Sequence, residues 1–121
     1  MGVVPNLERR DYMQSLAQMN IPSDVKKDIE AIVDALLEKF LPNINRIILF
    51  GSYAVGNYQP DSDIDIAVVL NELPDIKQRR LYSQAVSIEK EVDLIFCSNE
   101  QLLSNAFVYK RINERGVVLY E

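Results

Sequence analysis

Histidine is absent from this 121-residue chain. That removes the commonest general base and the commonest zinc ligand, so zinc hydrolase chemistry and Ser-His-Asp catalysis are excluded. The single cysteine, Cys97, cannot form an internal disulfide. Glycine and proline are scarce, at 4 and 5 residues, and no repeat or low-complexity stretch is visible; fibrous and disordered classes do not fit. Basic residues are outnumbered, 13 Lys and Arg against 18 Asp and Glu, for a formal charge of −5. A diffuse electrostatic grip on nucleic acid is therefore not expected. No apolar run approaches membrane-spanning length. The opening Met1-Gly2-Val3-Val4-Pro5 lacks the charged and apolar regions of a secretory signal, and we expect a cytoplasmic protein. With imidazole missing, carboxylate chemistry with Mg²⁺ or Mn²⁺ is what remains for catalysis.

Apolar residues make up 48% of the chain and charged residues 26%, the profile of one globular domain with a real core. Residues 1–22 read as an N-terminal extension in which Leu7, Tyr12, Leu16 and Met19 are weakly periodic, as in a short helix. From Ser23, a good N-cap, Val25, Ile29, Ile32, Val33, Leu36, Leu37 and Phe40 recur at helical spacing until Pro42. Arg46–Phe50 reads as a central strand, apolar on both faces. A second strand is expected over about Ser62–Leu70. It is followed by a helix from Asp75 to about Lys90, with Ile76, Leu81, Ala85 and Ile88 facing inward. Glu91–Cys97 makes a third strand, with Asp93, Ile95 and Cys97 on one face. Ser98 and Gln101 form a capping box. Phe107, Val108 and Ile112 lie on a further helix with a basic face of Lys110, Arg111 and Arg115, ended by Gly116, and Val117–Tyr120 is a last strand. The expected fold is an α/β domain over residues 23–121: a mixed sheet of about four strands flanked by helices, with the functional site at one end of the sheet.

The stretch from Phe50 to Leu70 carries the chemistry. Gly51 and Ser52 follow an apolar strand directly, and Asp63 and Asp65 share one face of the next, while Ile64 and Ile66 enter the core. Two convergent carboxylates suit hard cations, and a pair of such ions roughly 3.5–4 Å apart stabilises both the attacking and the leaving oxygen of a phosphoryl-type displacement. Small residues at Gly51 and Ser52 allow close backbone approach to a bulky ligand, and the amides opening the following short helix favour an anion. Structural readings stand beside these. Asp63 can be a turn residue and Asp65 a solvent-facing strand residue, Asp93 can be satisfied by an arginine, Gly51 can end a strand and Ser52 can cap a helix. The basic sets Lys77, Arg79, Arg80 and Lys110, Arg111, Arg115 fit solvated helix faces, Cys97 fits a packing role, and Tyr53 and Tyr58 fit either packing or stacking on a base.

Gly51-Ser52, ten residues, Asp63-Ile64-Asp65 and then Asp93 on a later strand resembles the signature of the DNA polymerase beta-like nucleotidyltransferase superfamily. GSYAVGNYQPDSDIDIAV and the ending Ile112-Asn113-Glu114-Arg115-Gly116-Val117-Val118-Leu119-Tyr120 look like the minimal nucleotidyltransferases, the MNT antitoxins that pair with HEPN-domain toxins. The resemblance implies metal-dependent transfer of AMP from ATP to a tyrosine hydroxyl of a HEPN toxin. It further implies Asp63, Asp65 and Asp93 as catalytic metal ligands, two Mg²⁺ or Mn²⁺ ions, and Gly51 and Ser52 holding the nucleotide phosphates. Homo- or hetero-oligomeric assembly stays open. A non-catalytic antitoxin acting by occlusion and a free-standing small-molecule transferase are the rival readings. One departure is Val55, where many relatives carry a basic residue; the polyphosphate then lacks that charge or receives it from another Arg or Lys.

Overall fold

The computed structural model describes residues 14–85, 91–104 and 106–121. Leu7, Tyr12 and Ile88 lie outside them. Helix α1 spans Ser23–Phe40 because its apolar residues repeat every three or four positions; all seven named from that spacing are buried. Burying each contributes about 1.5–3 kcal/mol relative to exposure, so this face anchors the domain. Ser23 does not cap the helix. Pro22 occupies the N-cap position and its carbonyl accepts the Lys26 N–H at 3.0 Å, which opens the helix without a hydroxyl. Residues 14–17 form one further helical turn that places Leu16 in the same core, with Met19 packed against it.

The remaining elements are β1 (Ile44–Phe50), α2 (Ser52–Val55), β2 (Ile64–Leu70), α3 (Ile76–Ala85), β3 (Val92–Cys97), α4 (Asn99–Leu102), α5 (Phe107–Arg115) and β4 (Val117–Tyr120). They build one mixed four-stranded sheet in the order β3-β2-β1-β4. β1 runs antiparallel to β2 and β4, and β2 runs parallel to β3. Because strand side chains alternate, the two central strands feed two cores. Ile47, Leu49, Ile64, Ile66 and Val68 meet α1 on one face, where the Phe40 and Phe96 rings lie 5.6 Å apart. Ile48, Ala67, Val69 and Cys97 meet Leu102 of α4 and Ile112 of α5 on the other. Cys97 is fully buried there, and burial pushes its thiol pKa up, as befits a packing residue.

Two helix ends show how local chemistry sets the second face. The Ser98 hydroxyl accepts the Gln101 N–H at 3.1 Å while the Gln101 side chain accepts the Ser98 N–H at 3.0 Å, the expected capping box. Gly116 closes α5 in an extended conformation, φ −71°, and not in the left-handed one. Glycine is needed for space: a β-carbon there would collide with the Ile112 carbonyl oxygen and come within 2.5 Å of Ile48 Cγ2.

Helix α3 departs from expectation. Ile76 and Leu81, read as inward, are 66% and 63% exposed. Arg79 and Ser83 are the partly buried positions, and they line an open groove of about 450 Å³ with Leu94 and Phe96 of the edge strand β3. The Arg79 Nε donates to the Pro74 carbonyl at 2.8 Å, which holds the helix by a polar contact at its start. Among the described residues no helix is long and apolar enough to cross a membrane.

Leu36→Ala is expected to lower the unfolding free energy by about 2–5 kcal/mol, and Leu81→Ala to change it by less than about 0.5 kcal/mol. Urea denaturation followed by circular dichroism measures both. Equal losses would contradict the placement of α3.

Candidate active site

Antiparallel pairing brings the end of β1 beside the start of β2, so Phe50 lies opposite Asp65, and the parallel neighbour β3 sets Asp93 beside the same residue. Asp65 and Asp93 follow the alternation of Ala67 and Cys97 and therefore share the face covered by α4 and α5. Asp63 sits one residue before β2, exposed, and not within the strand. Asp93 is exposed and Asp65 partly buried.

Gly51 has φ 77° and ψ −158°, a conformation that disfavours any side chain. A β-carbon on it would also overlap Oδ2 of Asp65. The glycine thus serves two requirements at once, the turn and the seat of the carboxylate. Its carbonyl accepts the Ala54 and Val55 N–H groups at 3.1 and 3.2 Å, starting α2 at Ser52, whose leading amides have no partner within the helix itself. Gly56, φ 88°, ends that helix with its N–H on the Ser52 carbonyl at 2.9 Å. A turn then returns the chain: Gln59 N–H donates to the Ser62 hydroxyl at 2.7 Å and Ser62 N–H to the Gln59 carbonyl at 3.0 Å. Tyr53 is 2% exposed, and its ring stacks on Tyr58 at 4.8 Å. These aromatics pack on each other.

The electrostatics centre on Asp65. Its carboxyl pKa is pushed up from 3.8 to about 6, first by burial, then by the charges of Asp93 and Asp63; a side-chain hydrogen bond with Asp93 adds to the rise and Arg111 opposes it. All three sequence-named aspartates therefore act on one point. Arg111 was read only as part of a solvated basic face. It reaches the site because α5 lies over the sheet face that carries Asp65, with Ile112 buried beside Ala67. The chain order held that signal: a helix leading into β4, the neighbour of β1, has to cross this face.

Hard oxygen donors in mutual repulsion suit a divalent cation. Among the described residues no group of three potential metal-ligating side chains forms a ready-made metal cage. That is compatible with Mg²⁺, which keeps several waters and takes one or two protein carboxylates together with substrate phosphates.

A carboxyl raised to about 6 in the folded state and 3.8 otherwise binds its proton more tightly when folded. Its charge is a burden on the fold above pH 6, relieved as pH falls through that value and absent below 3.8. In metal-free protein, Asp65→Asn is therefore expected to raise the melting temperature at pH 7 and to have less effect at pH 4. Carboxyl-carbon NMR should place the Asp65 midpoint near 6 in the wild type, and Asp93→Asn should lower it. A midpoint near 4 would contradict the repulsive cluster.

Residues 30–121 match the family described as Polymerase beta, Nucleotidyltransferase. A candidate protein adenylyltransferase of Methanocaldococcus jannaschii is 35% identical over 99 residues, covering 78% of this chain and 97% of the relative. The protein adenylyltransferase MntA of Shewanella oneidensis is 39% identical over 62 residues, 50% of this chain and 45% of MntA. Among solved structures, a toxin-antitoxin complex with AMP-PNP aligns with a TM-score of 0.60 at 30% identity, over 74% of this chain and 70% of that one. A complex of tri-AMPylated Shewanella oneidensis HEPN toxin with its MNT antitoxin aligns with a TM-score of 0.55 at 25% identity, over 78% and 71% of the two chains. The family match runs from within α1 through all four strands and takes in the Gly51 turn and the three aspartates, and by it this chain belongs to the polymerase beta nucleotidyltransferase family.

Proposed function

We propose that this chain is a metal-dependent protein adenylyltransferase, transferring AMP from ATP to a tyrosine of a HEPN-domain toxin in the cytoplasm and serving as its antitoxin. The observation that carries the reading is the seat of Asp65, held against Gly51 and flanked by the charges of Asp63 and Asp93. Relatives named for protein adenylylation and for HEPN toxin complexes support the choice of donor and acceptor.

Asp63 and Asp65 would hold Mg²⁺ or Mn²⁺, with Asp93 completing the ligand set on the acceptor side. The cations, when bound, neutralise charge developing on the reacting phosphate and on the departing pyrophosphate. The chain's own part is placement. Gly51 and Ser52 present backbone amides and a hydroxyl to the phosphates, which fixes the α-phosphorus relative to the acceptor. The tyrosine oxygen forms the new bond to that phosphorus, the bond to the bridging oxygen of pyrophosphate breaks, and the hydroxyl proton passes to the Asp93 carboxylate. The products are an adenylylated tyrosine and pyrophosphate.

Neutralisation by occlusion alone is the second reading. Leu103 and Phe107, 78% and 75% exposed, suit a docked partner under either reading, and Val55, uncharged beside the phosphate turn, is what favours occlusion.

Purified chain, α-labelled ATP, Mg²⁺ and a HEPN-domain protein from the same source should yield labelled HEPN protein. Asp63→Asn/Asp65→Asn should lower that labelling by at least about 100-fold, the scale of losing a transition-state charge contact. Labelling that persists in the double variant would refute the assigned site. Co-expression separates the two readings: a double variant that still rescues growth acts by occlusion.

A further inference from the structure

Helix α3 carries Lys77, Arg79 and Arg80 and no acidic residue, in a chain whose formal charge is −5. Its residues Ile76, Arg79, Arg80, Ser83 and Gln84 follow one another at the three- and four-residue steps of a single helical stripe. All five line the groove of about 450 Å³ together with Leu94 and Phe96 of β3. At the helical rise that stripe is about 12 Å long, the reach of about four residues of extended chain. Leu94 and Phe96, two residues apart on one face of the strand, supply the apolar part of the lining, and Ile76, 66% exposed, extends it outward.

The positive charge in this groove is not consumed inside the chain. The Arg79 Nε donates to the Pro74 carbonyl at 2.8 Å, which fixes that side chain and leaves the terminal nitrogens of its guanidinium. Among the described residues neither Arg79 nor Arg80 forms an ion pair. Asp75, the acidic residue just before the helix, is engaged at its start, where its Oδ1 accepts the Gln78 N–H at 2.8 Å. The groove is also separate from the carboxylate site. Phe96 belongs to the core on the α1 face, with Leu94 packed against it, whereas Asp65 and Asp93 alternate to the other face. β3 is an edge strand, so the groove lies at the margin of the sheet.

We propose that this groove docks an acidic segment of a partner protein, a short run in which carboxylates alternate with apolar side chains. Guanidinium forks take carboxylates through paired hydrogen bonds, and clusters of them are a recurring means of holding acidic motifs. The apolar lining calls for an aliphatic side chain between the charges. A nucleic acid fits less well, because its phosphates would meet a chain of net negative charge. The proposal is independent of the transfer chemistry, and it gives α3, with its exposed Leu81 and few inward apolar residues, a role other than closing the core.

Amide NMR of the isotope-labelled full chain tests this, with an acetylated, amidated tetrapeptide of alternating glutamate and leucine as the probe. Saturable shifts are expected at Arg79, Arg80, Ser83, Leu94 and Phe96. The counterpart with glutamine in place of glutamate should bind at least about fivefold more weakly, and raising NaCl to about 0.5 M should weaken the acidic peptide. Arg80→Gln should cost about two- to fivefold in affinity, the range of an exposed ion pair, and Arg80→Glu more, both with an unchanged melting temperature because this side chain is exposed. The proposal is overturned by the absence of saturable shifts, by shifts that map outside the groove, by equal binding of the two peptides, or by wild-type affinity in Arg80→Glu. An oligonucleotide or inorganic phosphate that displaces the peptide from the same signals would make the groove a phosphate site and overturn it as well. Peptide affinity that falls as protein concentration rises would assign the groove to a second copy of this chain, with the same consequence.

Discussion

The Asp65 carboxylate occupies the space that a side chain on residue 51 would need. Much of the architecture follows from making that contact possible. β1 has to stop at Phe50 so that Gly51 can turn with positive φ, and β2 has to return antiparallel with Asp65 opposite Phe50. β3 then runs parallel to β2, which brings a second carboxylate, Asp93, into register with the first. The antiparallel pair places Asp65, and it is the parallel pair that brings in Asp93.

Such an arrangement works against the stability of the chain on its own. Two negative charges, Asp93 and Asp63, act on the partly buried Asp65 carboxyl, and Arg111 opposes them. A fold selected for stability alone would place an asparagine or an apolar residue at one of these positions. The penalty is tolerated because the hydrophobic layers on both faces of the central strands are extensive, and on the proposed function cations bound with the nucleotide would relieve the repulsion. Ground-state strain of this electrostatic kind is what a functional site looks like when its counterions are not part of the polypeptide.

The elements most legible in the sequence were those with long, regular periodicity. The apolar positions of α1 and the alternation in β2 leave little freedom, and the capping box at Ser98 is a local chemical statement that needs no tertiary context. Legibility failed where few apolar residues had to be assigned to a face. In α3, Ile76 and Leu81 looked inward by spacing, yet the helix packs beside an edge strand with Arg79 and Ser83 toward the groove. Gly116 was recognisable as a helix end, but half of the reason for it, the approach of Ile48 beside the Ile112 carbonyl, is tertiary. At the site, the spacing of Gly51, Ser52, Asp63 and Asp65 was readable because it is local. Arg111 was not, since its distance in sequence hides the fact that α5 lies across the same face.

Recognition of the acceptor has to be separate from this core. The carboxylates lie at the rim of the sheet, where Asp63 and Asp93 are exposed, and a reacting hydroxyl can approach from solvent without entering a deep cleft. The α4–α5 corner presents Leu103, Phe107 and Val108, 78%, 75% and 37% exposed. Side chains of that size gain little from water, and the Arg111 guanidinium carbon lies 5.8 Å from the centre of the Phe107 ring. On the proposed function, a protein acceptor resting on the corner would bury that apolar area. On that reading the carboxylates supply the chemistry and a separate exposed apolar surface supplies the grip on the partner, so variants in one should spare the other.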